Sequence, residues 1–188
     1  MTAVTENGYA VRAIRPEDWE RVKQLRLDAL RDPIAHLAFL ETYENAAGNP
    51  DSFWQDRATG SGEGSTTAHQ FIAEAPDGTW AGSVTVLLEE AGTRDWAGNA
   101  VERRQGHAVG VFVRPEHRGN GLIDALFAAG VAWAWEQDAA CVRLFVHEEN
   151  TRAQTAYRRL GFAPSGLVVS FSKDETANEL EFVLERPA

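Results

Sequence analysis

Between two apolar segments, VGVFV (109–113) and IDALFAAGVAWAW (123–135), the chain reads HRGNGL (117–122). The first segment suits a strand and the second a helix, so two glycines, an arginine and an asparagine stand at a strand-to-helix turn. The first N–H groups of a helix have no intrahelical partner, and the helix dipole makes that end positive. Glycines let phosphate oxygens approach the backbone closely. Arg118 adds forked donors, and Asn120 suits a cap or a further donor. The turn therefore predicts a site for a phosphate or pyrophosphate; the competing reading is a glycine-tightened turn with no ligand. The spacing is neither GxGxxG nor GxxxxGK[ST], which disfavours a dinucleotide fold and a nucleotide triphosphatase.

A second candidate lies at ENTRAQTAYRRLGF (149–162). Asn150 is a good helix N-cap. Ala153, Tyr157 and Leu160 share one helix face, and Gly161 stands where a helix C-cap belongs. A tyrosine on a buried face needs a partner for its hydroxyl. Taken alone it reads as a core residue with a satisfied hydroxyl.

These motifs need elements to hold them. YAVRAI (9–14) reads as an edge strand, and PEDWERVKQLRLDALRD (16–32) as a helix with acids in its first turn. Residues 34–50 look irregular with a short helical piece, and PDSFWQDRA (50–58) starts another short helix. GSGEGSTTA (60–68) has the composition of a flexible loop. QFIAEA (70–75) and TWAGSVTVLLEE (79–90) form a hairpin about PDG, and AGTRDWAGNAVERR (91–104) is a long loop. GHAVGVFV (106–113) is a strand, residues 119–137 a helix, CVRLFVH (141–147) a central strand and residues 150–160 a helix. LVVSFS (167–172) and ELEFVLE (179–185) close the chain as a hairpin. The order β α α β β β α β α β β predicts a mixed α+β or α/β sheet with helices on both faces.

Composition sets outer limits. One domain is expected over residues 1–188, and a net charge of −10 argues against broad contact with nucleic acid or anionic membrane. Lysine occurs at Lys23 and Lys173 alone, so arginine carries the positive charge. The single cysteine, Cys141, opens an apolar run and reads as buried and inert; no intrachain disulfide or cysteine zinc site can form. No apolar run spans a membrane, and MTAVTENGYA lacks the regions of a signal peptide, so the expectation is a cytoplasmic protein.

Taken together, VFVRPEHRGNGL followed by LFVHEENTRAQTAYRRLGF resembles the GNAT superfamily of acyl-CoA-dependent N-acetyltransferases, over roughly residues 9–186. The first stretch corresponds to the family's [Q/R]xxGx[G/A] motif and the second to the segment ending in Yxx(L)GF. One departure stands out. Counted from Arg118, Ile123 occupies a position where Gly or Ala is usual; counted two residues earlier, Glu116 stands in place of Gln or Arg. The resemblance implies a mostly antiparallel mixed sheet splayed between two parallel strands, 106–113 and 141–147, with acetyl-CoA in the splay and no metal. It implies that the backbone of Val111, Phe112 and Val113 pairs with pantetheine. The amides of Arg118, Gly119, Asn120, Gly121, Leu122 and Ile123, with the Arg118 side chain, would hold the pyrophosphate. Asn150 would contact pantetheine and Tyr157 would face the sulfur.

The chemistry suits those roles. A thioester carries an activated acyl group, so no covalent enzyme intermediate is required. The incoming amine must lose a proton, a developing oxyanion needs a donor, and a phenol can protonate the leaving thiolate. His107 stands where the family often carries glutamate, and is either the general base or a strand histidine facing the cleft. Glu89, Glu90 and Glu102 are alternatives, and His147 a weaker one, while His36, His69 and His117 read as surface residues.

The resemblance implies an acceptor pocket built from residues 26–56 and 91–105, where Trp96 and Asp95 fit a small cationic amine; Phe53 and Trp54 read as helix core. A protein amine is an alternative acceptor, and a non-catalytic acyl-CoA sensor or an interaction domain an alternative function. The terminal strands and Trp135 could serve a homodimer.

Overall fold

The runs predicted as a hairpin about PDG do pair antiparallel, and strands add on both sides of them until one sheet holds eight. The computed structural model describes residues 2–171 and 174–188. Its strands are β1 (Ala3–Val4), β2 (Ala10–Ala13), β3 (Ala68–Glu74), β4 (Trp80–Glu89), β5 (Gln105–Val113), β6 (Cys141–His147), β7 (Ala163–Phe171) and β8 (Asp174–Glu185). Its α-helices are α1 (Trp19–Leu30), α2 (Ala35–Ala38), α3 (Tyr43–Ala47), α4 (Asp51–Gly60), α5 (Leu122–Glu136) and α6 (Thr151–Arg159). The strand order is β1-β2-β3-β4-β5-β6-β8-β7. Among the described strands β5 and β6 pair parallel, and the other neighbours pair antiparallel.

The sheet separates two apolar layers. On one face α5 buries Leu126 and Phe127 against Val84, Val86, Val142 and Leu144. On the other, α1 and α4 bury Val22, Leu25 and Trp54 against Ile72 and Phe112. Each fully buried large apolar side chain contributes about 1.5–3 kcal/mol.

Several expectations need correction. β2 is not the edge strand, because β1 pairs outside it. Residues 34–50 hold two short helices, α3 being capped by Thr42, which accepts the Asn45 N–H at 3.3 Å. The terminal hairpin forms, but β8 enters the sheet beside β6, leaving β7 at the edge. Ser172, the last residue of the predicted strand 167–172, lies outside the described residues. Trp54 is core as expected, whereas Phe53 is 38% exposed. His69 is no surface residue: it is buried in β3 and stacks on Trp133 at 4.4 Å. Burial without a hydrogen-bond partner holds its pKa below the ordinary histidine value. Trp135 packs in part against the core, with the Arg186 guanidinium over its ring.

Two irregularities of β5 shape the rest. Ser83 pairs with Phe112 but Thr85 with Val109, so Gly110 and Val111 together oppose one residue of β4. This is a β-bulge, and Gly110 takes the left-handed φ of +64° that it needs. Because side chains alternate with period two, the bulge reverses their parity. Ala108 faces the α5 layer before it, and Val111 and Val113 after it, while Phe112 joins the opposite layer. Second, β5 pairs with β6 at Gly106–Val142 and His107–Arg143 and then diverges. A V-shaped opening results.

Candidate active site

The V opens into a cleft of about 1020 Å³, large enough for a sizeable ligand. Val111, Phe112 and Val113 line it along β5; Tyr157 and Asn150 line it from α6 and its cap.

The HRGNGL turn closes one end. Gly121 is the N-cap of α5 with φ +71°, and Gly119 has φ +84°. A Cβ on either glycine would meet nothing within 4 Å. Backbone conformation, not space, therefore demands glycine there. The Arg118 amide donates to the Pro115 carbonyl at 3.3 Å and is not free. The next five amides, Gly119 to Ile123, donate to no acceptor among the described residues. The Arg118 guanidinium is also engaged, with Nε on the Val113 carbonyl at 3.0 Å and a terminal nitrogen on Asp32 at 2.6 Å. Asn120 donates to the His117 carbonyl at 3.0 Å. His117 is half-buried rather than a surface residue, and shares a 3.0 Å hydrogen bond with the Tyr9 hydroxyl. The side chains of this turn brace it, so its free hydrogen-bonding capacity is mostly backbone.

On α6, the Asn150 side chain accepts the Ala153 N–H at 3.2 Å, as a cap should. Gly161 ends the helix with φ +93°. The Tyr157 ring is buried edge-on to Phe127, with centroids 5.6 Å apart. Tyr157 lines the cleft, and its hydroxyl has no hydrogen-bond partner among the described residues, contrary to the satisfied core tyrosine. Burial pushes the phenol above its ordinary pKa, so it stays protonated and can donate.

The apex of the V is a buried ion cluster. Arg143 of β6 reaches Glu89 at 2.7 Å, Glu181 at 2.9 Å and Asp95 at 3.0 Å. Asp95 sits in the 91–104 loop, where its carboxylate accepts the Ala97 and Asn99 amides and folds the loop over the apex. That fold carries Trp96 into the cleft, edge-on to Phe145 at 5.4 Å. His107 Nδ1 lies 3.1 Å from Glu89. An ionised carboxylate can only accept, so Nδ1 carries the proton and Nε2 keeps the basic lone pair. Burial opposes ionisation of Glu89, but hydrogen bonds from His107, Arg143 and Gln105 outweigh it and hold its pKa down at about 2. So weak a base takes no proton from an amine near neutrality. Glu90 and Glu102 are solvent-exposed. His147 is buried, with Nδ1 accepting the Glu149 amide.

Sequence reasoning missed two groups here. Arg143 carried a signal, since a charge inside the apolar run CVRLFVH must find partners. Glu179 of β8 lines the cleft and carried none. On the opposite wall Arg26 pairs with Glu41 at 2.9 Å, and the Arg57 guanidinium lies 5.8 Å from the Trp54 ring centroid. Cys141 is buried and free, as expected. Among the described residues no helix is long and apolar enough to cross a membrane, and no side-chain group is placed to hold a metal ion.

This architecture is met in known proteins. The chain is 33% identical over 103 residues, 54% of its length and 63% of the relative's, to an aminoglycoside N(6')-acetyltransferase type 1 of Stenotrophomonas maltophilia. It is 24% identical over 173 residues, 91% of both chains, to a Bacillus subtilis protein provisionally named a ribosomal-protein-bS18-alanine N-acetyltransferase. The fold matches that of Arabidopsis thaliana NAA60 in complex with acetyl-CoA, with a TM-score of 0.66 at 19% identity over 94% of this chain and 98% of that one. The acetyltransferase (GNAT) family model matches residues 19–162, and with the splayed strands and the turn of free amides in place, the chain belongs to the GNAT acetyltransferase family.

Proposed function

We propose that the protein moves an acetyl group from acetyl-CoA to a primary amine of a small cationic molecule, by direct attack within a ternary complex. The observation that carries this reading is the meeting, in one cleft, of five free backbone amides, an unpaired stretch of β5 and an acid-lined apex. Backbone N–H groups at a helix start suit a pyrophosphate. The edge of β5 beyond His107 offers pantetheine a strand to pair with, and the side-chain NH2 of Asn150, which donates to nothing among the described residues, lines the same cleft. The thioester brings the activated acetyl group. The chain's part is to orient it, take a proton from the amine and give one to the sulfur.

His107 Nε2 takes the amine's proton, directly or through a water, with Glu89 fixing the tautomer. Tyr157 donates to the departing sulfur. Around the apex the charges of Glu89, Asp95 and Glu181 exceed that of Arg143, which favours a cationic acceptor over an anionic one.

Calorimetric titration with acetyl-CoA tests the first half. Micromolar binding is expected for the wild type, and much weaker binding for Gly121→Glu, whose carboxylate would stand among the amides. Equal affinity in both would remove the turn from the cofactor site. For the second half, His107→Ala is expected to abolish the acidic limb of the pH–rate profile; an unaltered profile would assign the base elsewhere.

A further inference from the structure

Three carboxylates around the apex are paired with Arg143, and the fourth on that wall is not. Glu179 is 9% exposed and lines the cleft, and its carboxylate has no hydrogen bond or ion pair among the described residues. Its neighbour two residues on, Glu181, holds both Arg143 and the Ser165 hydroxyl. Burying a lone carboxylate is costly, and such groups are normally paired. Nothing offsets the burial of Glu179, and its pKa is raised accordingly. A cation arriving in the cleft would supply what the fold does not.

The strand register places this group. Glu181 stands opposite Phe145, and Glu179 opposite His147. At about 3.3 Å per residue and 4.8 Å between strands, the Glu179 Cα lies roughly 8 Å from that of Phe145. Phe145 is itself edge-on to both His107 and Trp96. His107 pairs with Arg143, four residues before His147, so by the same spacings the Cα atoms of Glu179 and His107 lie roughly 16 Å apart, too far for one amine to serve both side chains and a gap for a two-ended acceptor to bridge. Phe145 and Trp96 both line the cleft; one face of Phe145 already carries the Arg143 guanidinium at 5.0 Å, which shows that the ring accepts a cation, and aromatic faces attract cations.

We infer that the acceptor carries a second ammonium group and that the Glu179 carboxylate binds it while the first amine reacts near His107. The acceptor class is then a diamine or polyamine. This rests on the acetyltransferase reading above. Glu179 is in this assignment a specificity-determining residue, acting on affinity rather than on proton transfer.

The test compares three amines of one chain length at saturating acetyl-CoA: putrescine, butylamine and γ-aminobutyrate. They differ only at the far end, which is cationic, neutral or anionic. Wild type is expected to favour putrescine over butylamine by roughly tenfold or more in kcat/KM, the scale of one charge-assisted hydrogen bond. Glu179→Gln, nearly isosteric, should erase that ratio through the KM for putrescine while leaving kcat and the butylamine values in place. Glu179→Asp should restore part of it. A preference for γ-aminobutyrate would assign the far end to the Arg57 wall and overturn the inference. So would a putrescine preference that survives Glu179→Gln, or an equal fall in kcat for all three amines with a displaced pH profile, which would make Glu179 a base. If none of the three is acetylated, putrescine binding to the protein–CoA complex reads the same contrast, and equal binding or none in both proteins overturns it. Acetyl-CoA binding is measured alongside: its absence sinks the transferase reading, whereas its presence with no effect of Glu179→Gln sinks this inference alone.

Discussion

The two ends of the cleft are made of different material. At the turn end, Gly119 to Ile123 present backbone amides, and the side chains of Arg118 and Asn120 are spent on holding the turn. At the apex, the groups facing the cleft are the side chains of Glu89, His107, Phe145, Glu179 and Trp96, from β4, β5, β6, β8 and the 91–104 loop, and the ion cluster lies behind them. A backbone site requires the right φ at two glycines and tolerates change in the surrounding side chains. A side-chain site requires that five segments arrive in register, and each of its charges depends on the others. The turn end suits a ligand portion that never varies, whereas the apex can be re-specified one residue at a time.

The largest expected effect tests that interdependence. Arg143→Met removes the one cation from among three buried carboxylates. Breaking a buried pair in this way costs about 3–5 kcal/mol. Urea unfolding should show that loss, and a loss below about 1 kcal/mol would show the carboxylates to be solvated after all.

Acid should loosen the same end next. The pKa of Glu89 lies at about 2, below its ordinary 4.5. Its stabilising contribution is therefore complete above pH 4.5 and lost as pH falls from there through about 2. The shift corresponds to something on the order of 3 kcal/mol. Unfolding midpoints of wild type and Glu89→Gln should converge over that interval; parallel curves would mean that His107 and Arg143 do not hold the carboxylate in solution.

Tyr157→Phe comes third and sits at the boundary between the two ends. Tyr157 lines the cleft with an unpartnered hydroxyl while its ring serves the core, so turnover is expected to fall on the order of tenfold to a hundredfold. Acetyl-CoA affinity and thermal stability should hardly change. Full turnover in the variant would leave Tyr157 a packing residue.

Gly121→Ala gives the smallest effect. A left-handed φ costs a residue with a Cβ about 1–2 kcal/mol, while the added methyl meets empty space. A slight fall in Tm with modestly weaker acetyl-CoA binding is expected. A loss of binding as large as that of Gly121→Glu would show the turn to be as unforgiving as the apex.

Much of this was legible in the residues. The turn, the Asn150 cap, the Gly161 stop and the strand CVRLFVH stand within a few positions of where the sequence places them. Caps, turns and helix starts are interactions between near neighbours in the chain, so residue order alone determines them. Other features have no local signature. The insertion of β8 between β6 and β7 sets Glu181 against Arg143, and the bulge at Gly110 decides which side chains face the cleft. The partners of Arg143 lie 38 to 54 residues away in the chain. ELEFVLE looks like any half-buried strand, and nothing in it says that Glu179 faces a cleft rather than water. Alternation tells that two faces differ, but which face meets which neighbour follows from strand order and register. Those are settled by burying both apolar layers at once, a property of the assembled sheet and not of any one segment.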